Sequence, residues 1–249
     1  APVISVFRCG NNTVIELVGP NSPAVNAGED VEICEGEDLT LTAQNPDGAN
    51  ISWDQGVSDG VSFTPNVSTE IYTVTANLGG CISTDDIEVI IHPLPSLDAG
   101  TDVSICEGES VTLSASGANN YSWDNGVADD VSFSPNTTTI YTVTGTSQEG
   151  CTTSDEVEVT VHSNPDVNIQ ADKTDGCLPL KVQFENNSSN ADECVYTISD
   201  GTELTDCAAT HTFYEPGCYD IDFKVTNTNG CTNSVAIEDY ICVENLPQA

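Results

Sequence analysis

The sequence predicts an all-β protein made of tandem β-sandwich domains, and three observations support this class. Apolar and polar residues alternate with a period of two in many short runs, such as 39–42 (LTLT) and 157–161 (VEVTV). Turn sequences such as 46–48 (PDG) and 229–230 (NG) separate these runs. Val, Ile, Thr and Tyr are abundant, whereas Met is absent. Many short strands at this spacing are typical of a β-sandwich.

A block of about 70 residues occurs twice, which is the sign of a modular array. Segment 31–37 (VEICEGE) recurs as 103–109 (VSICEGE), and segment 71–75 (IYTVT) recurs as 140–144. We therefore predict four parts, namely residues 1–25, 26–95 (repeat 1), 96–165 (repeat 2) and 166–249 (the third module). The linkers Pro93–Pro95 and Ser163–Pro165 are short and contain proline, which predicts semi-rigid connections.

Residues 1–25 are interpreted as the end of a preceding repeat. Cys9 lies as far before Ala27-Gly28 as Cys81 lies before Ala99-Gly100, so Cys9 matches the second cysteine of a repeat. This predicts that the chain is cut from a longer repeat protein. In the alternative interpretation, Cys9 pairs with another chain, or the N-terminal strand completes a neighbour's sandwich in a filament.

The charge is strongly acidic, with 4 basic residues against 40 acidic residues and a formal net charge of −36. Binding to nucleic acid or to anionic lipid needs cationic patches, so both partners are excluded. No apolar stretch reaches the roughly 20 residues that span a bilayer. We predict a chain that binds no nucleic acid and does not span a membrane.

The 11 cysteines occur singly, without Cys-x-x-Cys pairs or a nearby histidine at metal-ligand spacing. This pattern favours disulfides in an oxidising, extracellular compartment over a zinc site. Two cysteines per repeat predict the pairs Cys34–Cys81 and Cys106–Cys151. For the six cysteines of the third module we predict three pairs: Cys177–Cys231, Cys194–Cys207 and Cys218–Cys242.

Both repeats resemble the bacterial Ig-like repeats of Bacteroidota surface proteins over nearly their full length. The resemblance is carried by the Cys-Glu-Gly-Glu turn at 34–37, the Trp-Asp-x-Gly-Val segment at 53–57, the Thr-x-x-Tyr-Thr-Val-Thr strand at 69–75 and the Gly-Cys turn at 80–81, with their counterparts in repeat 2. In the usual Ig topology, the turns that would hold the two cysteines lie at opposite ends. A pair within one repeat would then need a modified topology.

The third module resembles a polycystic-kidney-disease (PKD) domain. Its matching strings are 196–201 (YTISDG), 211–214 (HTFY) and 216–219 (PGCY), and Ile198-Ser199 departs from the family's usual Phe-Gly before Asp200-Gly201. Together the modules look like part of a gliding-motility or adhesion protein exported by type IX secretion. The resemblance implies an extracellular, cell-surface location and no enzymatic activity. The implied partners are neighbouring domains of the same long chain and a surface polysaccharide or other cell-surface ligand.

Aromatic and histidine residues invite other hypotheses. Trp53 and Trp123 are predicted to be core residues, with a platform for sugars as the alternative. His92 and His162 recur at equivalent positions and His211 lies in the PKD-like string, so all three are predicted to be structural. No nucleophile accompanies them in a recognisable catalytic motif.

The acidic residues raise the question of calcium, which prefers six to eight oxygen ligands. The candidates are Asp54 and Asp59 with their counterparts Asp124 and Asp129, and the repeat-opening residues Glu29, Asp30 and Asp102. Solvated surface charge is the main interpretation, because a full calcium-binding loop motif is missing. Calcium at a domain junction is the alternative, and no cofactor is predicted otherwise.

The predicted function is structural and adhesive: a segment of a large multidomain secreted adhesin or fibre. One alternative is a carbohydrate-binding or spacer region of a secreted polysaccharide-degrading enzyme, which predicts an exposed row of aromatic residues. Another is the subunit of a self-assembling extracellular filament.

Overall fold

The structure, a computed structural model, describes residues 22–66 and 69–245, together with the backbone of 7–9 and 12–14. Every regular element in these ranges is a β-strand, and the strands form tandem β-sandwiches, which confirms the predicted fold class. β1 (Phe7–Cys9) and β2 (Asn12–Val14) pair in antiparallel fashion. The predicted side-chain role of Cys9 lies outside the described residues.

Repeat 1 contains six strands: β3 (Val31–Cys34), β4 (Leu39–Thr40), β5 (Asn50–Trp53), β6 (Ser62–Phe63), β7 (Thr69–Leu78) and β8 (Cys81–His92). They form a four-stranded sheet in the order β3-β8-β7-β5 and a two-stranded sheet of β4 and β6. β3 is parallel to β8, with Cys34 aligned to His92. Cys34 therefore lies at the end of β8 that is farthest from Cys81.

The core of repeat 1 follows from the alternation in its longest strands. Tyr72 and Val74 of β7 and Ile87 and Val89 of β8 point to one side and are buried, while the residues between them are more exposed. Trp53 of β5 belongs to the same buried cluster. Burying apolar area stabilises by about 25 cal/mol per Å², so this packing favours the two-layer arrangement.

Repeat 2 has the same strand pattern: β9 (Val103–Cys106), β10 (Val111–Thr112), β11 (Asn120–Trp123), β12 (Ser132–Phe133), β13 (Thr139–Thr146) and β14 (Thr152–His162). Its sheets have the orders β11-β13-β14-β9 and β10-β12. β9 is parallel to β14, and Cys106 is aligned with His162. The equivalent ends of the two repeats are therefore built alike.

The third module contains eight strands: β15 (Ile169–Ala171), β16 (Asp175–Cys177), β17 (Leu180–Asn186), β18 (Glu193–Ile198), β19 (Glu203–Leu204), β20 (Ala208–Phe213), β21 (Gly217–Thr226) and β22 (Thr232–Glu244). A three-stranded sheet, β15-β17-β20, faces a five-stranded sheet, β16-β22-β21-β18-β19. Tyr196 lies in the core between them, with its ring 4.4 Å from that of Phe223. β16 is parallel to β22, with Cys177 aligned to Glu244.

The chain divides into two compact units. Unit 1 comprises Ala1–Asp98, Ser116–Ser122 and Thr144–Asp155, and unit 2 comprises Ala99–Ala115, Trp123–Val143 and Glu156–Ala249. Both units include residues of repeat 2. The domain boundaries given above stay a prediction.

Candidate functional site: cysteine-braced junctions

The first cysteine of each repeat is bonded to a cysteine of the next module. The predicted pairs Cys34–Cys81 and Cys106–Cys151 are therefore wrong. Cys34 is bonded to Cys151 with a Cα–Cα distance of 5.6 Å, and both residues belong to unit 1. Cys106 is bonded to Cys231 at 5.5 Å, and both belong to unit 2. The first cysteine of each repeat therefore pairs with a cysteine of the following module.

Strand geometry explains why the predicted pairs cannot form. Cys34 is aligned with His92 at one end of β8, whereas Cys81 begins that strand at the other end. A strand of this length separates the two ends by about 35 Å. Bonded cysteines have Cα atoms within about 7 Å of each other, so the pair is excluded. The same argument applies to Cys106, which is aligned with His162 at the far end of β14 from Cys151.

The third module contains two of its three predicted pairs. Cys194–Cys207 and Cys218–Cys242 are both present, and the second joins directly opposed residues of β21 and β22. The predicted pair Cys177–Cys231 is wrong, because Cys231 is bonded to Cys106. Cys177 is a free, exposed thiol. Cys81 is also disulfide-bonded.

The repeated Cys-Glu-Gly-Glu turn holds the first cysteine of each repeat in place. In repeat 1, the Glu37 carboxylate accepts the Cys34 N–H at 3.0 Å, and the Glu37 N–H donates to the Cys34 carbonyl at 3.1 Å. Gly36 has φ 85°, a left-handed conformation that side chains other than glycine rarely adopt. Glu109 makes the corresponding pair of bonds to Cys106 at 2.8 and 3.0 Å.

Each disulfide lies against the carbonyl of the residue that ends the last strand of a repeat. The Glu35 N–H donates to the His92 carbonyl at 2.8 Å, and Cys151 Sγ lies 3.9 Å from the same oxygen. At the second junction, the Glu107 N–H donates to the His162 carbonyl at 2.8 Å, and Cys231 Sγ lies 4.0 Å from that oxygen. The two junctions therefore share one backbone arrangement around the sulfur atoms.

The second linker is hydrogen-bonded on both sides within unit 2. The Asn164 side chain donates to the Glu107 carbonyl of repeat 2 at 3.0 Å. From the third module, Asn227 donates to the Ser163 carbonyl and Asn233 to the Pro165 carbonyl, each at 3.0 Å. Two side-chain amides of the third module thus bind this linker, and the linker's own Asn164 binds repeat 2, which limits its freedom to bend.

Asn227 is the central residue of this second junction. It is only 4% exposed, and its Oδ1 accepts the N–H groups of Asn229 and Cys231, each at 3.0 Å. Its amide therefore orders the β21–β22 turn that carries Cys231 and binds the linker at the same time. A buried amide with these partners is costly to remove, since its partners would lose their bonds.

The acidic residues considered for calcium accept hydrogen bonds from the protein itself. The Asp59 carboxylate accepts the Trp53 indole N–H at 3.0 Å and the Ala43 N–H at 2.8 Å. Asp129 makes the equivalent bonds to Trp123 and Ala115, both at 2.9 Å. Each carboxylate therefore ties a buried tryptophan to a neighbouring backbone segment.

The other candidate carboxylates also support the backbone. Asp54 and Asp124 accept N–H groups of β7 and β13, while Asp30 and Asp102 accept N–H groups of β8 and β14. Within the described residues, no group of three or more His, Cys, Asp or Glu side chains could hold a metal ion. Calcium binding, including a role for Glu29, stays an untested prediction.

The tryptophans lie in the sandwich cores, with Trp53 7% and Trp123 8% exposed. They do not provide the exposed aromatic surface that the sugar-platform alternative needs.

Tyr196 of the third module is also buried, and burial raises its pKa to about 12. Its hydroxyl donates to the Cys207 carbonyl at 2.9 Å.

Two of the histidines contact a carboxylate. His92 Nε2 lies 3.0 Å from Glu32, and His211 Nε2 lies 2.9 Å from Asp200. Partial burial alone would raise the pKa of Asp200, but hydrogen bonds from Thr202 and His211 outweigh it and leave that pKa below its ordinary value. The His211–Asp200 contact ties the Ser-Asp-Gly turn to β20, which is a structural role.

One family model matches part of the chain. Residues 162–243 match the family model described as PKD domain. No curated protein matches the chain significantly. Within the described part of the chain, no helix is long and apolar enough to cross a membrane.

Several solved structures match the chain at low identity. The N-terminal eight Ig domains of Down Syndrome Cell Adhesion Molecule match with a TM-score of 0.45 and 12% identity over 94% of this chain, which spans 38% of that structure. The titin I-band fragment I67–I69 matches with a TM-score of 0.43 and 10% identity over 92% of this chain and 100% of the fragment. The PKD1 domain of the Vibrio cholerae metalloprotease PrtV matches with a TM-score of 0.26 and 20% identity over 30% of this chain and 95% of that domain. By its strands the described chain is an all-β tandem array, and its last module matches the PKD family model.

Proposed function

We propose that this chain is a stiff spacer in a large, secreted, multidomain surface protein, either an adhesin or a fibre. The observation that carries the proposal is the pair of disulfides that link successive modules, Cys34–Cys151 and Cys106–Cys231. Disulfides persist in oxidising compartments, which supports an extracellular location. The domain boundaries at 26–95, 96–165 and 166–249 are part of this proposal.

A second covalent link at a junction changes what the junction can do. A peptide linker alone restrains the distance between two domains but leaves them free to swing and twist, so relative motion is the ordinary expectation. A disulfide beside the linker adds a second fixed point, and rotation is then limited to the axis through both. At the second junction, the bond from Asn164 of the linker to repeat 2 and the bonds from Asn227 and Asn233 to the linker restrict this remaining rotation further.

The surface charge suits a spacer that must stay separate from its neighbours. A net charge of −36 keeps chains soluble and repels other copies. In the repeats, Trp53 and Trp123 are buried, so neither adds an aromatic patch to the surface. We assign no reaction to the chain, and we assign ligand binding, such as to a surface polysaccharide, to other parts of the same long protein.

A finer assignment rests on the sequence. The two repeats resemble Ig-like repeats of Bacteroidota surface proteins, which favours a gliding-motility adhesin exported by type IX secretion. Antibodies against the chain should label intact cells and slow gliding. Recovery of the chain from the cytosol with reduced cysteines would refute the extracellular assignment.

Stiffness itself is tested with matched double variants. The variant Cys34→Ser/Cys151→Ser removes a junction disulfide, whereas Cys218→Ser/Cys242→Ser removes a disulfide inside the third module. Residual dipolar couplings should show wider motion between repeats 1 and 2 only in the first variant. Equal motion in both variants and in the unmodified chain would refute the spacer role of the disulfide.

A further inference from the structure

Cys177 occupies the same structural position as the two cysteines that form the junction disulfides. Cys34, Cys106 and Cys177 each end a short strand that is parallel to the last strand of its module. Each is aligned with the final residue of that last strand, namely His92, His162 and Glu244.

The backbone after the cysteine is also the same in all three cases. The following residue donates its N–H to the carbonyl of the aligned residue: Glu35 to His92 at 2.8 Å, Glu107 to His162 at 2.8 Å and Leu178 to Glu244 at 3.0 Å. In the first two cases the partner sulfur lies against that carbonyl, at 3.9 and 4.0 Å. The third position has the equivalent Glu244 carbonyl, and Cys177 itself is a free, exposed thiol.

We infer that Cys177 forms a disulfide with a cysteine in a further β-sandwich module that follows Glu244 in the parent protein. In both bonded cases the partner cysteine lies in or next to the turn before the last long strand of the next module, as Cys151 and Cys231 do. The partner comes about 60 to 70 residues after the aligned strand-end residue, so the missing cysteine is expected at that distance beyond Glu244. It should follow a Gly in a Gly-Cys turn.

Formation of this bond needs a disulfide oxidant, such as a thiol–disulfide oxidoreductase or oxidised glutathione. One thiolate attacks the oxidant's disulfide and forms a mixed disulfide, and the second thiolate then displaces the oxidant's remaining thiolate. The two protein thiols lose two protons and two electrons in total, and the oxidant is reduced to two thiols. The exposure of Cys177 allows this exchange to occur at the surface.

The inference goes beyond the spacer proposal, because it identifies the chemistry of the next partner. Its test uses the parent protein as isolated from its source. Free thiols are first blocked with iodoacetamide, and the unreduced protein is then digested and analysed by mass spectrometry. A peptide containing Cys177 joined to a Gly-Cys peptide from beyond residue 249 is the expected result.

Two other results would overturn the inference. Recovery of Cys177 in its alkylated form would show that it stays a thiol, and a Cys177 peptide joined to one from residues 1–249 would show a different partner, including a second copy of the chain. The peptides that carry Cys34–Cys151 and Cys106–Cys231 are measured in the same digest, so failure of the Cys177 link is distinguishable from failure of the spacer proposal. As a control, Cys177→Ser in the 249-residue chain should abolish maleimide labelling attributable to Cys177 in the folded, unreduced protein.

Discussion

Repeat 2 should extend very little when a pulling force is carried through the Cys34–Cys151 disulfide. Consider a force applied between handles at two exposed residues, Glu35 and Ser163, attached through non-natural amino acids so that no cysteine is added. The shortest covalent path runs from Cys34 through the disulfide to Cys151 and along β14. It contains about 13 residues, so its fully extended length is about 45 Å.

This path is already almost straight in the folded protein. β14 is an extended strand that covers most of it, so unfolding the rest of repeat 2 adds almost no length. Reduction opens the path to about 128 residues, or about 450 Å. Disulfides within each repeat, as the sequence suggested, would give about 38 residues and about 130 Å.

Single-molecule force spectroscopy distinguishes these three lengths. The oxidised protein should show almost no extension step between the handles, and Cys34→Ser/Cys151→Ser should show unfolding steps that sum to several hundred ångströms. The Cys218→Ser/Cys242→Ser variant is the control and should behave like the unmodified protein. An extension of about 85 Å in the oxidised protein, which is the difference between the path lengths of about 130 and 45 Å, would refute the junction pairing.

Four further predictions concern stability. Asp59→Ala should lower the free energy of unfolding of repeat 1 by about 1–3 kcal/mol, because it leaves the Trp53 indole N–H and the Ala43 N–H without their acceptor, whereas the exposed Asp86→Ala should have little effect in urea denaturation. Gly117→Ala should destabilise repeat 2 by more than about 1 kcal/mol, since the added Cβ would lie 1.7 Å from the Ser96 carbonyl oxygen and φ is +94°; an unchanged melting temperature would contradict this. Asn227→Ala should destabilise the third module by about 1–3 kcal/mol in chemical denaturation and should increase hydrogen exchange at Asn229 and Cys231, while an increase spread evenly over the module would point to a different cause. Because the folded-state pKa of Asp200 lies below its ordinary value, its contribution is fully present above about pH 4 and is lost as pH falls through the folded pKa, so Asp200→Asn should lower the melting temperature at neutral pH, change it little below the folded pKa, and so flatten the acid side of the profile.

Local patterns in the sequence predicted the strands well. The alternation in β7 and β8 specifies which side chains face the core, and the repeated motifs place the same strands in both repeats. The pairs Cys194–Cys207 and Cys218–Cys242 were also predictable, because each joins residues close in sequence. These features depend on short-range information.

The junction pairs depend on information that a single repeat does not contain. Counting two cysteines per repeat favours pairing within the repeat, and only the parallel alignment of β3 with the end of β8 shows that Cys34 and Cys81 are far apart. The usual positions of the two turns at opposite ends of an Ig-like sandwich were the available signal. Asn227 gave no signal of its own, since Asn-rich turns are common and its contact with Ser163 joins distant parts of the chain.

The acidic residues illustrate a different limit. Repetition of Asp59 as Asp129 showed that the position matters to the module, but not whether the carboxylate binds an ion or an N–H group. In the structure, each carboxylate accepts hydrogen bonds from a tryptophan indole N–H and a backbone N–H. Melting with and without a chelator tests the remaining calcium hypothesis, and a higher melting temperature in calcium would support it.

The most direct test of the account is disulfide mapping of the unreduced 249-residue chain. A protease that cleaves after acidic residues suits this sequence, which has 40 acidic and only 4 basic residues. Mass spectrometry should find the peptide of Cys34 joined to that of Cys151, and the peptide of Cys106 joined to that of Cys231. Recovery of Cys34 with Cys81 and of Cys106 with Cys151 would contradict the braced junctions and the spacer role built on them.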